Sequence, residues 1–337
     1  MQTTVKNVTE AVDTCKAIGE WTNYNSLGIS INASGVEFNG CRVEFPDTLE
    51  NFNGSGHYDP ATLKKIAKES GKPGQEFTGT LENGQITVAG VSVDSVAECG
   101  PLGVNTPEPS APSVNIPNVA AVADAASRED MRPILCGVNI GPTGTVATDS
   151  YRLHVDTGET LPEAVTIPSA VIRQLHKLKV ESARMDKEGG NYRLEATTNS
   201  GNVVKIMRAA IDGQFPNYEQ LFPETYEIAA TIDPEATREQ AAKILRWVSN
   251  NTPGRIVISD RLEFGYEGET DVEPVSIGRV QGSPDPTVIG VNPEFFAAAV
   301  EYVDSPEAIF RAISPLRPVC LETGTRRALV MPIRLQD

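Results

Sequence analysis

Helix-start signals that contain proline recur along this chain and set its organisation. Proline suits the first helical turn because its ring fixes φ and because the amide it lacks would have no intrahelical partner. Five such signals precede apolar runs of helical period: Asp59-Pro60, Ile116-Pro117, Ile167-Pro168, Asp233-Pro234 and Asn292-Pro293. A sixth start, without proline, is predicted at Asn7, before an apolar run that consists of Val8, Ala11, Val12 and Cys15.

The spacing of these starts predicts an internal repeat. Asn7, Pro117 and Pro234 are separated by 110 and 117 residues. Pro60, Pro168 and Pro293 are separated by 108 and 125 residues. Two interleaved series of similar period indicate a unit of about 110 residues that contains two helices and occurs three times.

Between the helices, apolar and polar residues alternate as in half-buried strands. The dipeptides Asn83-Gly84 and Gly189-Gly190 are typical of tight hairpin turns, so the strands are expected to be antiparallel. The sequence therefore predicts an α+β fold in which helices lie on one face of antiparallel sheet. A Pro-rich linker is predicted at 103–113, and a weaker boundary near 221–224, which gives three domains: 1–108, 109–224 and 225–337.

The composition limits the function. The formal net charge of −16 opposes tight electrostatic binding to phosphates, so any contact with DNA must be local or topological. No apolar stretch is long enough for a membrane span and no signal peptide is recognised, so a cytoplasmic protein with no membrane partner is expected. The cysteines are odd in number and never spaced as Cys-x-x-Cys, which favours reduced thiols over disulfides or zinc: Cys15, Cys41, Cys99, Cys136 and Cys320.

Catalytic signals are weak. The three histidines, His57, His154 and His176, are not spaced as metal ligands with one another or with a cysteine. Ser150 and His154 would share a strand face if a strand ran through both, but nothing further indicates a catalytic triad. The sequence therefore predicts a protein that is not an enzyme, with no cofactor, no metal and no catalytic residue.

The helices carry basic residues at repeating positions. The pair Lys64 and Lys68 and the pair Arg173 and Lys177 are each four residues apart, at similar distances from their helix-start prolines. The fifth helix adds Arg238, Lys243 and Arg246. Any one of these pairs, taken alone, is explained by an ordinary solvated helix face. The repetition of such pairs at similar helix positions in an acidic chain favours helices that face duplex DNA and contact its phosphates without reading bases.

Four sets of segments resemble one family, the bacterial DNA polymerase III beta subunit, which is the sliding clamp of the replicase. They are RPILCG at 132–137 followed by VATDSYRL at 146–153, IDGQFPNY at 211–218, SPLRPV at 314–319, and VMPIRL at 330–335. Their order and spacing resemble the family through the second and third repeats. The first repeat shares only the organisation of helices and strands.

The resemblance implies three repeated clamp domains, each with two helices on antiparallel sheet, which dimerise head to tail into a ring with its helices inside. It also implies a pocket between the second and third domains for short linear peptides of DNA polymerase and the clamp loader. The residues carried over to this pocket are Leu135, Thr148, Ser150, Tyr151, Arg152, Leu153, Pro216, Leu221, Leu316, Met331, Pro332, Ile333 and Arg334. Trp247 and Val248 are candidates for the homodimer interface.

The chain departs from the family at several positions. The family usually has Gly-His where this chain has Ser150-Tyr151, and Asp where it has Asn217; it also usually ends at the leucine equivalent to Leu335. These departures concern the rim of the pocket more than its floor, and they are consistent with a divergent or phage-encoded member.

The function expected from the resemblance is a processivity factor that encircles duplex DNA without sequence specificity and tethers the replicative polymerase. The first alternative is a clamp-like scaffold or decoy paralogue that binds partners but does not encircle DNA. An unrelated hydrolase with a site on its sheet is a third possibility.

Overall fold

The computed structural model describes residues 3–18, 29–39, 41–50, 52, 55–83, 85–94, 113–129, 131–247, 252–266, 272–282, 284–306 and 308–335. Cys99, Val248 and most of the predicted linker lie outside these residues. The described helices are α1 (Val5–Ile18), α2 (Pro60–Glu69), α3 (Ile116–Ala123), α4 (Ser169–Lys177), α5 (Pro234–Leu245) and α6 (Pro293–Val303). Two short 3-10 turns cover Pro133–Cys136 and Glu219–Leu221.

The strands fall into the stretches between these helices. Before α3 they are β1 (Ile29–Asn32), β2 (Gly35–Phe38), β3 (Cys41–Glu44), β4 (Ser55–Tyr58), β5 (Thr80–Glu82), β6 (Gln85–Val88), β7 (Val91–Asp94) and β8 (Ser113–Asn115). Between α3 and α5 they are β9 (Gly137–Gly141), β10 (Gly144–Thr148), β11 (Arg152–Asp156), β12 (Val165–Pro168), β13 (Ser182–Glu188), β14 (Asn191–Thr197), β15 (Val203–Ala209) and β16 (Ile228–Ile232). After α5 they are β17 (Gly254–Ile258), β18 (Arg261–Tyr266), β19 (Val272–Val280), β20 (Thr287–Val291), β21 (Ile309–Ala312), β22 (Val319–Thr323), β23 (Arg326–Val330) and β24 (Pro332–Ile333).

The helix starts predicted from proline lie at the N-termini of observed helices. Asp59 and Asp233 accept hydrogen bonds from the amides of Thr62 and Ala236, each at 3.0 Å, and a proline occupies the first turn that follows each cap. These side chains satisfy amides that would otherwise lack partners, which is why the sequence signal predicts the ends well.

The cap predicted at Asn7 is wrong by three residues. The cap of α1 is Thr4, whose hydroxyl accepts from the amide of Asn7 at 3.3 Å. In return, the side-chain oxygen of Asn7 accepts a hydrogen bond from the amide of Thr4 at 2.9 Å. This reciprocal pair is a capping box, and the sequence was misread because Asn7 occupies the third helical position and not the cap.

The first compact unit comprises Met1–Ala120 and Leu161–Asp212. Its main sheet has the antiparallel order β4-β1-β2-β3-β15-β14-β13-β8. The β3–β15 ladder pairs Cys41 with Ile206 and so joins strands from the first two predicted repeats. Helix α1 packs on β2 and β3 and also against α2 and α4, while β5, β6 and β7 form a separate small sheet.

The second compact unit comprises Ala121–Thr160 and Gly213–Asp337. Its strands follow the order β9-β10-β11-β23-β22-β21-β16-β19-β18-β17-β20-β24. Helix α5 packs on β18 and β19, and α6 packs on β11, β22 and β23. The core beneath α6 includes Phe264, Phe296 and Phe310, whose rings meet edge to face.

Six helices on antiparallel sheets confirm the predicted α+β class. The turn prediction at Gly189-Gly190 is also confirmed, because Glu188 pairs with Asn191 across that two-residue loop. The three domain ranges stay a prediction, since each compact unit combines two separate segments of the chain. No helix in the described ranges is both long and apolar enough to cross a membrane.

Candidate functional site

The turn between β10 and β11 forms an exposed part of the candidate site. Asp149 accepts hydrogen bonds from the amides of Tyr151 and Arg152, both at 2.9 Å, and pairs with Nε of Arg152 at 3.0 Å. The hydroxyl of Thr148 donates to the carbonyl of Arg152 at 2.6 Å. These bonds fix the turn so that Tyr151 projects outward with 64% of its surface exposed.

Strand pairing brings the C-terminal motif to this turn. Arg152 of β11 lies opposite Val330 of β23, and the amide of Met331 donates to the carbonyl of Tyr151 at 2.8 Å. Val330 also lies opposite Val319 of β22, and Leu316 is three residues before Val319. The ends of three neighbouring strands therefore place Tyr151, Met331 and Leu316 at one end of the sheet.

The start of α6 completes this end of the sheet. Pro332 pairs with Val291 in the β20–β24 ladder, and α6 begins directly after that strand at the Asn292 cap. The ring of Phe295 then lies 6.5 Å from the ring of Tyr151 at an interplanar angle of 26°. The guanidinium carbon of Arg152 lies 4.7 Å from the centroid of the Phe295 ring. The sequence did not predict a role for Phe295. The start of its helix was recognised, but its contact with Tyr151, 144 positions earlier in the chain, was not.

The strands that end at this site, β10, β11, β22 and β23, also carry a buried apolar cluster. Its buried members are Val146, Leu153, Val155, Cys320 and Leu329. Against them pack the half-buried rings of Phe215, Tyr218, Phe222 and Tyr226, which come from the segment around the second 3-10 turn. The guanidinium of Arg327 covers the ring of Phe222 at 4.1 Å. Leu221, within this segment, is 41% exposed.

The predicted pocket residues differ in burial. Leu135, Leu153 and Thr148 are buried. Tyr151, Leu221, Leu316 and Met331 account for half of the large apolar side chains exposed among the described residues. Tyr151, Leu316 and Met331 lie at one end of the sheet, and exposed apolar side chains gathered in one place are typical of a binding site for another molecule. Pro216, Pro332, Ile333 and Arg334 lie on the segments that flank this surface.

Ser150 has an unusual backbone conformation at the rim. Its φ is +81°, a region that favours glycine, and its hydroxyl accepts from Arg132 at 3.1 Å. The family that the chain resembles usually has glycine at the position of Ser150. The structure supplies the reason, because the turn requires a left-handed residue before Tyr151.

Ser150 and His154 do not form part of a catalytic triad. Ser150 lies in the turn before β11, whereas His154 is buried within β11 with its ring stacked 4.1 Å from that of Tyr302. Burial lowers the pKa of His154 from 6.5 to about 3. The expectation that Ser150 and His154 share one face of a strand is wrong, because Ser150 lies outside β11. Within the described residues, no group of three or more His, Cys, Asp or Glu side chains could hold a metal ion.

The predicted DNA-facing residues differ in their environments. Lys64 pairs with Asp13 of α1 at 2.8 Å, and Arg238 pairs with Asp304 at the end of α6 at 2.7 Å. Arg173 donates to the hydroxyl of Ser169 at 3.0 Å. The remaining four, Lys68, Lys177, Lys243 and Arg246, are exposed. The role of all seven in contacting DNA stays a prediction.

One of the two dimer-interface candidates can be located. Trp247 lies two residues after the end of α5 and is 66% exposed, so its indole ring is available for a contact with another molecule. Val248 lies outside the described residues. The assignment of this region to a dimer interface stays a prediction.

Sequence comparison finds similar curated proteins. The chain is 27% identical over 241 residues to the Beta sliding clamp of Streptomyces coelicolor, an alignment that covers 64% of each protein. It is 27% identical over 206 residues to the Beta sliding clamp of Micrococcus luteus, which covers 56% of this chain and 66% of that protein. In both cases the matched region spans slightly less than two thirds of the relative. No protein-family model matches the chain.

Structure comparison extends the likeness over the whole chain. The DNA polymerase sliding clamp of Bacillus subtilis superposes with a TM-score of 0.79 at 16% identity, covering 99% of both chains. The Helicobacter pylori beta clamp bound to a DNA ligase peptide gives 0.77 at 15% identity with the same coverage. The DNA polymerase III beta subunit of Thermotoga maritima gives 0.77 at 16%, again covering 99% of both. The predicted resemblance is thus confirmed as a likeness: the chain has the sliding-clamp fold and is similar in sequence to curated Beta sliding clamps of bacteria.

Proposed function

We propose that this protein is a non-catalytic DNA sliding clamp that tethers a polymerase to duplex DNA. In this proposal two copies close head to tail into a ring, and each copy binds a short peptide of its partners at the site around Tyr151. The fold and the names of the relatives support the clamp assignment. Ring closure, DNA encirclement and the identity of the partners are proposals that extend beyond this likeness.

The observation that supports peptide binding is the exposed apolar surface formed by Tyr151, Leu316 and Met331. It lies at the ends of paired strands and beside the first turn of α6, on a rigid support. Methionine and leucine side chains adapt to different apolar partners, while an aromatic ring provides a fixed stacking face. In the related Helicobacter pylori clamp, a DNA ligase peptide is the bound partner. A linear segment with apolar anchors therefore suits this surface.

Encirclement accounts for DNA binding by a chain with a net charge of −16. A ring is held by topology, so it needs only weak contact with phosphates and can remain acidic elsewhere. Opening such a ring would require a separate ATP-driven loader, which we propose as a second partner for the peptide site.

Two measurements test the ring. The mass in solution should be about twice 36.2 kDa at micromolar concentration, and protein loaded on a nicked circular plasmid with a clamp loader and ATP should be released when the plasmid is linearised. A monomer at that concentration would contradict the ring and favour the scaffold or decoy alternative.

A separate experiment tests the peptide site. Deletion of residues 331–337 should abolish binding of a polymerase-derived peptide and leave the mass of the dimer unchanged. Peptide affinity equal to that of the full chain would refute the placement of the site.

A further inference from the structure

An exposed arginine lies beside Tyr151 in the candidate site. Arg132 donates from Nη1 to the hydroxyl of Ser150 at 3.1 Å, and Ser150 directly precedes Tyr151. The backbone of Arg132 is held as well, because its carbonyl accepts from the amide of Leu135 at 2.9 Å. Its guanidinium makes no ion pair with another described residue. A positive charge is therefore held near Tyr151 without a carboxylate to balance it.

The residue that holds Arg132 has a strained backbone. The φ of Ser150 is +81°, a conformation that glycine would adopt at no steric cost. Backbone strain of this kind is concentrated at binding and catalytic sites. Glycine has no hydroxyl that could accept from Arg132, so the contact gives the serine a function that glycine could not provide.

A second exposed arginine lies beside Leu316. The amide of Arg317 donates to the carbonyl of Ser314 at 3.2 Å, which closes a turn on which Leu316 and Arg317 are both exposed. A third, Arg334, follows Met331 by three residues and is also exposed. Neither guanidinium makes an ion pair with any residue that the structure describes. Arginine charge thus accompanies each part of the exposed apolar surface.

The other charges of the site leave this positive charge in excess. Arg152 and Asp149 pair with each other at 3.0 Å and so cancel. Glu219 in the second 3-10 turn and Glu294 in the first turn of α6 are exposed carboxylates. Set against the three arginines, these two carboxylates leave a positive balance. The surface therefore favours an acidic ligand, whereas the protein as a whole, with a net charge of −16, repels one.

We propose that the peptide site selects a linear segment with acidic side chains beside its apolar anchors, and that Arg132 and Arg317 bind those carboxylates. The proposal rests on the proposed peptide-binding function and specifies the chemistry of the partner. A guanidinium presents a planar pair of donors that matches a carboxylate, so it favours an acidic residue over the corresponding amide. The positive charge also attracts an acidic segment during its approach, which raises the association rate.

Two synthetic peptides test this selection. They share leucine and phenylalanine anchors and are amidated at the C-terminus; one carries two aspartates beside the anchors, and the other carries two asparagines at the same positions. Their affinities for the full chain are measured by fluorescence anisotropy at low and at high KCl. The aspartate peptide should bind about fivefold more tightly at low salt, as expected for two ion pairs at the edge of an interface. This advantage should shrink at high salt, because ions screen exposed charges.

Variants assign the selection to the two arginines. Arg132→Gln/Arg317→Gln should remove the advantage of the aspartate peptide and leave the affinity of the asparagine peptide unchanged. Arg132→Lys/Arg317→Lys keeps the charge without the planar donors and should retain part of the advantage. The control is Arg261→Gln, which removes an exposed arginine at the opposite end of the β17–β20 ladder from the start of α6. It should leave the advantage unchanged.

Several outcomes would overturn the proposal. Equal affinity for the two peptides would refute the selection and leave the peptide site in place. An equal loss of both peptides in the glutamine variant would show that the arginines only support the shape of the site. If the asparagine peptide gains the same advantage once its C-terminus is a free acid, the arginines bind a terminal carboxylate and the assignment to acidic side chains is wrong. If neither peptide binds, the proposed peptide site is itself refuted.

Discussion

The ring of Tyr151 lies 6.5 Å from the ring of Phe295, inclined by 26°, and the guanidinium carbon of Arg152 lies 4.7 Å from the centroid of the Phe295 ring. The stack joins the turn after β10 to the first turn of α6. Tyr151 nevertheless remains 64% exposed, so one of its faces is free to meet a partner while the other is held in place.

Replacement of Tyr151 by alanine should weaken binding of an apolar peptide at least tenfold, equivalent to about 1.4 kcal/mol, because aromatic anchors at the centre of a binding surface carry much of its affinity. The thermal midpoint should change little, since the side chain is mostly exposed. Isothermal titration with a polymerase-derived peptide measures the loss. Trp247→Ala removes an equally exposed aromatic side chain from the end of α5 and should leave the affinity unchanged. Equal losses in both variants would contradict the placement of the site.

The sequence predicted well those features that depend on neighbouring residues. Helix starts at Pro60, Pro234 and Pro293 follow from local capping chemistry, and a Gly-Gly hairpin follows from turn geometry. The threefold spacing of helix starts also corresponds to the six observed helices. Local backbone preferences determine these features, so a single sequence is sufficient to predict them.

Features that depend on distant contacts were not predictable in the same way. Phe295 reaches Tyr151 only because β24 pairs with β20 and β23 pairs with β11. The charge of Arg238 is matched by Asp304, which is 66 positions away, and the sequence alone could not reveal this ion pair. The predicted pocket residues came from motif resemblance, whereas the distinction between those that are buried and those that are exposed required the structure.

Ser150 provides a second prediction, because its φ of +81° is strained for a residue with a side chain. Ser150→Gly should raise the free energy of unfolding by about 1 kcal/mol, the relief of backbone strain being partly offset by greater freedom of the unfolded chain. Ser150→Ala is the control, since it removes the hydroxyl that accepts from Arg132 but keeps the strain. Urea denaturation of the two variants measures the difference. The strain argument fails if glycine is no more stable than alanine.

Asp149 should be essential for the shape of the binding turn. Its carboxylate accepts two backbone amides and the Nε of Arg152, and both side chains of this pair are largely shielded from solvent. Asp149→Ala leaves these donors without an acceptor, which should cost about 2 kcal/mol of stability and displace Tyr151 from its stacked position. Peptide affinity should therefore fall as well. Asp149→Asn, which retains one acceptor oxygen, should give an intermediate result in both measurements.

A matched control for Asp149 is Asp260, which lies exposed in the turn between β17 and β18 and accepts only from Ser259 at 3.1 Å. Asp260→Ala should change neither thermal stability nor peptide affinity. If it lowers both as much as Asp149→Ala does, the effect reflects a general loss of acidic turn residues and not the specific bonds to Tyr151 and Arg152.

His154 predicts a pH dependence of stability. The ring is buried against Tyr302, its Nδ1 lies 3.2 Å from the carbonyl oxygen of Ala121, and burial lowers its pKa from 6.5 to about 3. The folded protein therefore keeps His154 neutral, whereas the unfolded chain takes up a proton below pH 6.5. Stability from this group is complete above pH 6.5 and falls as the pH drops toward 3, by at most about 1.4 kcal/mol per pH unit. Between pH 7 and pH 5 the expected loss is about 2 kcal/mol.

The variant His154→Gln separates this effect from the titration of carboxylates, which both proteins share. The free energy of unfolding of the second unit should fall less between pH 7 and pH 5 in the variant than in the unaltered protein, with a difference approaching about 2 kcal/mol. In the unaltered protein, the imidazole carbon-bound proton signals of His154 should keep a constant NMR chemical shift from pH 8 to pH 5. A titration of those signals centred near pH 6.5, together with equal losses of stability, would show that the ring is accessible to protons in the folded state and would contradict its burial beneath α6.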